Sequence, residues 1–260
     1  MAEVQLSFRR YGSTGHAVLL LHGLFGSVKN WHTQASALAG DFSACTVDLR
    51  NHGASPHCAH MDYPGMAADV LALMDRLDIE QTFLLGHSMG GKVAMQIALQ
   101  AAARVRRLIV VDIAPRAYPR HHDEVLEAMQ ALDLSAHRTR QGVDAALRDS
   151  IPDERVRQFI LTNLVRDSES GAFVWQLHLT GIVDNYDHLS AAPTGAPYDG
   201  PTLFIKGGAS DYIQATDRDT IDALFPAAQA KVIVNAGHWP HAEKPQAFQK
   251  LVGDFLRADA

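Results

Sequence analysis

One stretch decides how this chain folds: Phe83-Leu-Leu-Gly-His-Ser-Met-Gly-Gly-Lys-Val-Ala-Met-Gln-Ile-Ala-Leu99. A short apolar run, typical of a strand, is followed by a serine among glycines and then by helix-forming residues. Gly86, Ser88 and Gly90 match G-x-S-x-G, the nucleophile elbow, in which a strained turn lifts a serine hydroxyl above the end of a parallel sheet. Because so tight a turn excludes side chains at both glycines, the pattern predicts Ser88 as a nucleophile.

Apolar runs on both sides of this stretch predict further strands. An amphipathic edge strand is expected at Val4 to Tyr11, buried strands at Ala17–Leu21, Ala44–Asp48, Arg107–Asp112 and Pro201–Ile205, and the last strand at Lys231–Val234. Helical patterns separate these strands. The alternation predicts an α/β fold with a mostly parallel sheet and helices on both faces.

The pattern changes between Arg116 and Tyr198, where buried strands disappear. Helical segments are expected near Glu124 to Leu134, Gln141 to Asp149 and Pro152 to Val165, while Phe173 to Leu177 fits either a strand or the start of another helix. A proline- and glycine-rich linker covers Ala191 to Gly200. We therefore predict a core of residues 1–115 and 199–260 and a helical cap of residues 116–198.

Composition limits the classes of partner. Of 260 residues, 47% are apolar and 20% are charged, which is ordinary for a globular protein. The net charge of −6 gives no electrostatic case for nucleic acid or anionic membranes, and no apolar run reaches the roughly 20 residues that span a bilayer. Met1 to Arg10 lacks a signal-peptide core, so a cytoplasmic location is expected. The oligomeric state stays open.

No cofactor or metal is predicted. Neither a P-loop nor a dinucleotide-binding glycine fingerprint is present, and Cys45 and Cys58 form no zinc or disulfide pattern. The adjacent His121 and His122 lack a matching carboxylate frame and are expected to be solvated.

A serine hydroxyl needs a base to accept its proton. His238 is the candidate, because Ala236-Gly-His-Trp-Pro-His241 directly follows the last predicted strand, where a loop reaches back towards Ser88. The neighbouring His241 is expected to be a supporting or surface residue.

The base in turn needs an acid that holds its tautomer. Asp112 ends one predicted strand, and Asp211 lies in Lys206-Gly-Gly-Ala-Ser-Asp211 after the next. Both loops lie at the carboxyl edge of the sheet, and the order Ser, Asp, His holds for either. Asp112 is favoured and Asp211 remains the alternative.

An oxyanion hole requires two further hydrogen-bond donors. The N–H of Met89 is the first, since Met89 follows the nucleophile at the start of a helix, and the N–H of Leu24 is the second, with Phe25 as a less favoured substitute. Phe25 and Trp239 are expected to line the substrate pocket because their sequence neighbours are catalytic candidates. Other aromatic residues, among them Tyr186 and Tyr212, are expected to pack.

Five motifs in order resemble the α/β-hydrolase superfamily, and within it the small cap-bearing carboxylesterase and acyl-CoA thioesterase branch. They are His22-Gly-Leu-Phe-Gly-Ser27, Asp48-Leu-Arg-Asn-His-Gly-Ala-Ser55, Gly86-His-Ser-Met-Gly-Gly91, Val111-Asp-Ile-Ala-Pro115 and Ala236-Gly-His-Trp-Pro-His241. The resemblance implies the α/β-hydrolase fold with an inserted cap, Ser88 as nucleophile, His238 as base and Asp112 as acid. Asp211 lies one residue beyond the acid position usual in the wider superfamily.

The expected activity is hydrolysis of short- to medium-chain acyl esters or thioesters by a serine enzyme, with a small molecule as the substrate. Two alternatives remain: lactonase or perhydrolase activity in the same pocket, and a non-catalytic protein that binds a ligand or partner on a hydrolase scaffold.

Overall fold

Strands and helices alternate along residues 4–258, the part of the chain that the computed structural model describes. Residues 1–3 and 259–260, which belong to the predicted core segments, lie outside the described residues. The strands are β1 Phe8–Tyr11, β2 Ala17–Leu21, β3 Ser43–Val47, β4 Thr82–His87, β5 Val105–Val111, β6 Leu164–Arg166, β7 Phe173–Trp175, β8 Thr202–Gly207 and β9 Ala228–Ile233. The helices are α1 His32–Leu38, α2 Tyr63–Arg76, α3 Met89–Gln100, α4 Asp123–Ala131, α5 Arg140–Leu147, α6 Glu154–Leu161, α7 Leu179–Asp184, α8 Tyr186–Ser190, α9 Arg218–Leu224, α10 Pro240–Glu243 and α11 Pro245–Arg257.

Seven strands form the central sheet in the order β1-β3-β2-β4-β5-β8-β9. Among the strands of residues 4–258 in this sheet, only β1 runs antiparallel to its neighbour β3, and the other neighbouring strands are parallel. The predicted mostly parallel sheet is therefore confirmed. Since the carboxyl ends of parallel strands meet at one edge, the loops after β2, β4, β5, β8 and β9 lie side by side.

Apolar side chains alternate between the two faces of the sheet. Leu19 and Leu21 of β2 pack into one cluster with α2 and α3, whereas Val18 and Leu20 pack into a second cluster with α1 and α11. Every one of these four side chains is fully buried. Helices thus cover both faces, as the sequence predicts.

The segment between β5 and β8 contains α4 to α8 and the hairpin of β6 and β7. The segment Phe173 to Leu177, for which the sequence allowed a strand or a helix start, contains the strand β7. The expectation of a helix as far as Val165 is wrong. Helix α6 ends at Leu161, and Val165 pairs with Val174, where β-branched residues favour a strand. The division into core and cap stays a prediction. Across residues 4–258, no helix is long and apolar enough to cross a membrane.

Candidate active site

Ser88 lies in a sharp turn between β4 and α3, with φ 51° and ψ −118°. A side chain at Gly86 would come within 2.2 Å of the carbonyl oxygen of Gly90, and one at Gly90 within 2.4 Å of the carbonyl oxygen of Leu21. The Ser88 N–H donates to the carbonyl of Val111 at 3.0 Å, which joins the turn to the next strand. The strand, turn and helix predicted at this stretch are present, and only glycines fit its two frame positions.

Asp112 lies against His238, whereas Asp211 does not. The carboxylate of Asp112 is fully buried, and its Oδ2 accepts the Nδ1–H of His238 at 2.8 Å. Asp112 Oδ1 accepts the N–H of Gly207 at 2.8 Å. Asp211 is exposed in the loop after β8. Of the two candidate acids, the geometry favours Asp112.

Ser210 is a further partner of Asp112 that the sequence did not indicate. Its buried hydroxyl donates a short hydrogen bond to Asp112 Oδ2. The side chain of Lys206 holds this loop by donating to the carbonyls of Ser210 and Ile213, the latter at 2.7 Å. A serine beside a predicted acid has no distinctive spacing, so sequence reasoning missed this bond.

His238 is held by contacts on three sides. Besides Asp112, its ring stacks on Tyr212 with 3.8 Å between ring centroids and 18° between planes. Its carbonyl oxygen accepts the Nε2–H of His87 at 2.7 Å. With 18% of its side chain exposed, His238 lines a cavity that Ser88 also lines, whereas His241 is buried against Trp31. Because Nδ1 donates to a carboxylate, Nε2 remains free to accept a proton.

The loop after β2 runs close to the elbow. A side chain at Gly23 would lie 3.3 Å from Cβ of Ser88 and 2.9 Å from Nδ1 of His87. The N–H of Phe25 is engaged by Nε2 of His52 at 3.3 Å. This bond disfavours Phe25 as the substitute oxyanion donor. Leu24 lines the cavity beside Ser88, and Met89 opens α3, where N–H groups have no acceptor within the helix.

Five loops at the carboxyl edge each contain one non-glycine residue in the left-handed region of φ. These are Phe25 at 62°, Asn51 at 65°, Ser88 at 51°, Asp112 at 51° and Asn235 at 57°. Such backbone is strained for residues with a Cβ and persists where the surroundings enforce it. Strain is therefore concentrated at the edge of the sheet that carries the predicted site.

Several buried histidines around the site stay neutral. Burial lowers the pKa of His22 to about 4 and that of His52 to about 3. Burial and the nearby His238 lower the pKa of His87 well below its ordinary value, and lower that of His241 to about 3. These rings act as fixed hydrogen-bond partners and not as charges.

Two cavities meet at Ser88, and both are also lined by Leu24, His122 and Tyr212. The larger, of about 300 Å³, contains the predicted pocket residues Phe25 and Trp239. The smaller, of about 40 Å³, also contains Tyr186. Tyr186 and Tyr212, which were expected to pack, therefore also line cavities.

The expectation that His121 and His122 are solvated is wrong for His122. His121 is exposed, but the ring of His122 meets Phe25 edge-on at 5.8 Å and its Nδ1 lies 2.6 Å from the hydroxyl of Tyr186. Burial lowers the pKa of His122 to about 3. The segment before α4 folds over the site, which the local sequence does not reveal. Among residues 4–258, no group of three or more His, Cys, Asp or Glu side chains is arranged for a metal ion.

Lys92 is an unusual buried cation next to the smaller cavity. Its ammonium donates to the carbonyls of Ser190 at 3.2 Å and Ala191 at 2.6 Å, and lies 4.8 Å from the ring centre of Tyr118. Burial, and to a lesser degree Arg116, lowers its pKa to about 7. Lys92 thereby ties α3 to the end of α8 and the residue that follows it.

The chain is similar in sequence and in structure to known proteins. A family model described as the alpha/beta hydrolase fold matches residues 16–245. The chain is 40% identical over 240 residues to "Esterase YbfF" of Escherichia coli (strain K12), with 92% of each protein covered. It is 40% identical over 249 residues to "sn-1-specific diacylglycerol lipase ABHD11" of Mus musculus, which covers 92% of this chain and 80% of that protein. A solved "Marine microorganism esterase" superposes with a TM-score of 0.95 at 36% identity over 97% of this chain and 100% of that one.

Proposed function

Because this chain belongs to the alpha/beta hydrolase family and is a carboxylic ester hydrolase, we propose that it cleaves short- to medium-chain acyl esters or thioesters through an acyl-enzyme on Ser88. One observation carries the proposal: His238 lines the same cavity as Ser88, and its Nδ1 lies 2.8 Å from the buried carboxylate of Asp112.

In the proposed reaction, Ser88 Oγ attacks the acyl carbon while His238 Nε2 takes the hydroxyl proton. Asp112 holds the tautomer with Nδ1–H and stabilises the imidazolium that forms. Negative charge develops on the carbonyl oxygen, which accepts hydrogen bonds from the N–H groups of Leu24 and Met89. Loss of one such donor costs about 3 to 4 kcal/mol of transition-state stabilisation.

The tetrahedral intermediate then collapses. The bond from the acyl carbon to the leaving group breaks, and the leaving group takes the proton from His238. A water molecule, activated by the same imidazole, attacks the acyl-enzyme and releases the carboxylic acid, so that Ser88 regains its proton.

Ser88→Ala tests this mechanism, with Ser170→Ala in an exposed loop as the matched control. Hydrolysis of p-nitrophenyl butyrate by the Ser88→Ala protein should fall to the uncatalysed rate, and a fluorophosphonate probe should label the control but not this variant. Retained turnover by the Ser88→Ala protein would refute the proposal. The same assay run on oxygen esters and coenzyme A thioesters of equal chain length distinguishes esterase from thioesterase preference.

Cellular location is a further part of the proposal. Cys45 and Cys58 are both free thiols, which is ordinary in a reducing compartment, and a cytoplasmic location stays a prediction.

A further inference from the structure

The two cavities that meet at Ser88 differ in which parts of the predicted machinery they contain. His238 lines the larger cavity, and Met89 lines the smaller one, while Leu24 lines both. The base and one oxyanion donor therefore line different cavities beside the nucleophile.

This division distinguishes the two halves of an ester. The leaving oxygen must reach His238, because it takes from that imidazole the proton that came from Ser88. The carbonyl oxygen must face Leu24 and Met89. On the basis of the proposed function, we propose that the larger cavity binds the alcohol half of the ester and the smaller one the acyl chain. The preferred substrates are then short-chain acyl esters of bulky apolar alcohols.

The size of the smaller cavity limits the acyl chain. Its volume is about 40 Å³. The larger cavity has about 300 Å³, so the smaller one accommodates only the shorter half of an ester.

The walls of the smaller cavity are fixed by the core and by hydrogen bonds. Ile113 and Leu189 are buried, and Tyr63 donates its hydroxyl to the carbonyl of Leu189 at 2.6 Å. Lys92 closes one side through its bonds to Ser190 and Ala191. A longer chain would have to displace these groups, so chain length is limited by packed and hydrogen-bonded atoms.

The larger cavity is suited to an apolar alcohol. Its volume of about 300 Å³ is bounded by Val125, Val156, Phe159 and Trp239, with Phe159 and Trp239 in ring contact at 5.5 Å. Apolar walls gain free energy from an apolar occupant in proportion to the area that leaves water. The alcohol half of the ester is therefore expected to improve the reaction as its apolar surface grows.

Two ester series test the assignment on the full chain. In p-nitrophenyl esters of two-, four-, eight- and twelve-carbon acids, only the acyl half changes; in acetates of methanol, butanol, octanol and benzyl alcohol, only the alcohol changes. We expect kcat/KM to fall at least tenfold from butyrate to octanoate and to rise from the methyl to the octyl and benzyl acetates. Equal rates for butyrate and dodecanoate, or a decline with alcohol size, would overturn the proposal.

Paired variants distinguish the cavities. Leu189→Ala should raise kcat/KM for the octanoate relative to the butyrate by several-fold and leave the alcohol profile unchanged, whereas Phe159→Ala should weaken the preference for large alcohols and leave the acyl profile unchanged. The reverse pairing would overturn the assignment. If Leu189→Ala does not fold, Ile113→Val removes less volume from the same cavity and should shift the acyl limit in the same direction; an unmoved limit in a folded variant counts against the proposal.

Failure of this inference differs from failure of the proposed function. If Ser88 is labelled by the fluorophosphonate and esters are hydrolysed without the expected acyl limit, only the cavity assignment fails. If Ser88 is not labelled and no ester is hydrolysed, the proposed function fails and the assignment fails with it.

Discussion

Replacing Asp112 with asparagine changes one oxygen of the proposed acid into an NH₂ group. The carboxylate accepts three hydrogen bonds, from the N–H of Gly207, the hydroxyl of Ser210 and Nδ1–H of His238. An amide has only one acceptor oxygen, so it cannot serve all three donors. If the NH₂ group faces His238, the imidazole must shift to the tautomer that carries its proton on Nε2, and it then cannot accept the proton of Ser88.

The expected loss follows from this wrong tautomer. Such a change costs up to ~10⁴-fold in kcat, or about 5 kcal/mol of activation free energy. Leaving a buried donor without its acceptor costs a further 1 to 3 kcal/mol of folding stability, roughly. We therefore expect Asp112→Asn to lose at least about a hundredfold in kcat while it still folds at 25 °C.

The assay is p-nitrophenyl butyrate hydrolysis with thermal unfolding of the same samples, and Asp211→Asn is the matched control. Because Asp211 is exposed and does not contact His238, its variant should keep kcat within about twofold, as surface substitutions usually do. The reasoning is refuted if Asp112→Asn stays within tenfold of the unmodified protein, or if Asp211→Asn loses as much activity as Asp112→Asn.

Three further outcomes are expected. Gly23→Ala places a Cβ 2.9 Å from Nδ1 of His87 and should displace the Leu24 donor, which would lower kcat by about a hundredfold. Gly40→Ala is the control, because a Cβ there meets nothing within 4 Å. Equal activity of the two variants would contradict the packing argument. Because burial lowers the pKa of His22 to about 4, the imidazole of His22 takes up a proton between pH 6.5 and 4 only in the unfolded chain. Urea unfolding should therefore show a stability loss of about 3 kcal/mol from this residue by pH 4, and His22→Gln should reduce the pH slope. The lowered pKa of Lys92, about 7, predicts by the same linkage that folding stability rises with pH between 7 and 10.5. Lys92→Met should flatten that rise, and Lys250→Met, at an exposed position, should not. A slope that persists in Lys92→Met would show that the buried Lys92 is not its source.

The sequence predicts those features of this molecule that depend on patterns of neighbouring residues. The stretch around Ser88 and the buried runs of β2, β4 and β5 specify strands and a turn through residues that are neighbours in the chain. The family, the fold and the enzyme class followed from these and are confirmed. The roles of Ser88, His238 and Asp112 stay predictions for the variants above.

The remaining features depend on contacts between distant segments. Asp112 and Asp211 follow adjacent strands, so their positions in the chain could not decide between them, and only packing buries Asp112 beneath His238. His122 and Tyr186 are far apart in sequence and meet through the placement of α4 and α8 over the core. Neither pairing has a periodic signal that a single sequence could reveal.

The left-handed backbone at Phe25, Asn51, Ser88, Asp112 and Asn235 has a consequence for how this protein can adapt. Each such residue costs on the order of 1 to 3 kcal/mol relative to relaxed backbone, and the sum is a large fraction of the 5 to 15 kcal/mol by which domains are typically stable. The rest of the chain must supply that difference. Selection for a more heat-resistant form is therefore expected to change the helices and the outer surface, and to leave these five strained positions as they are.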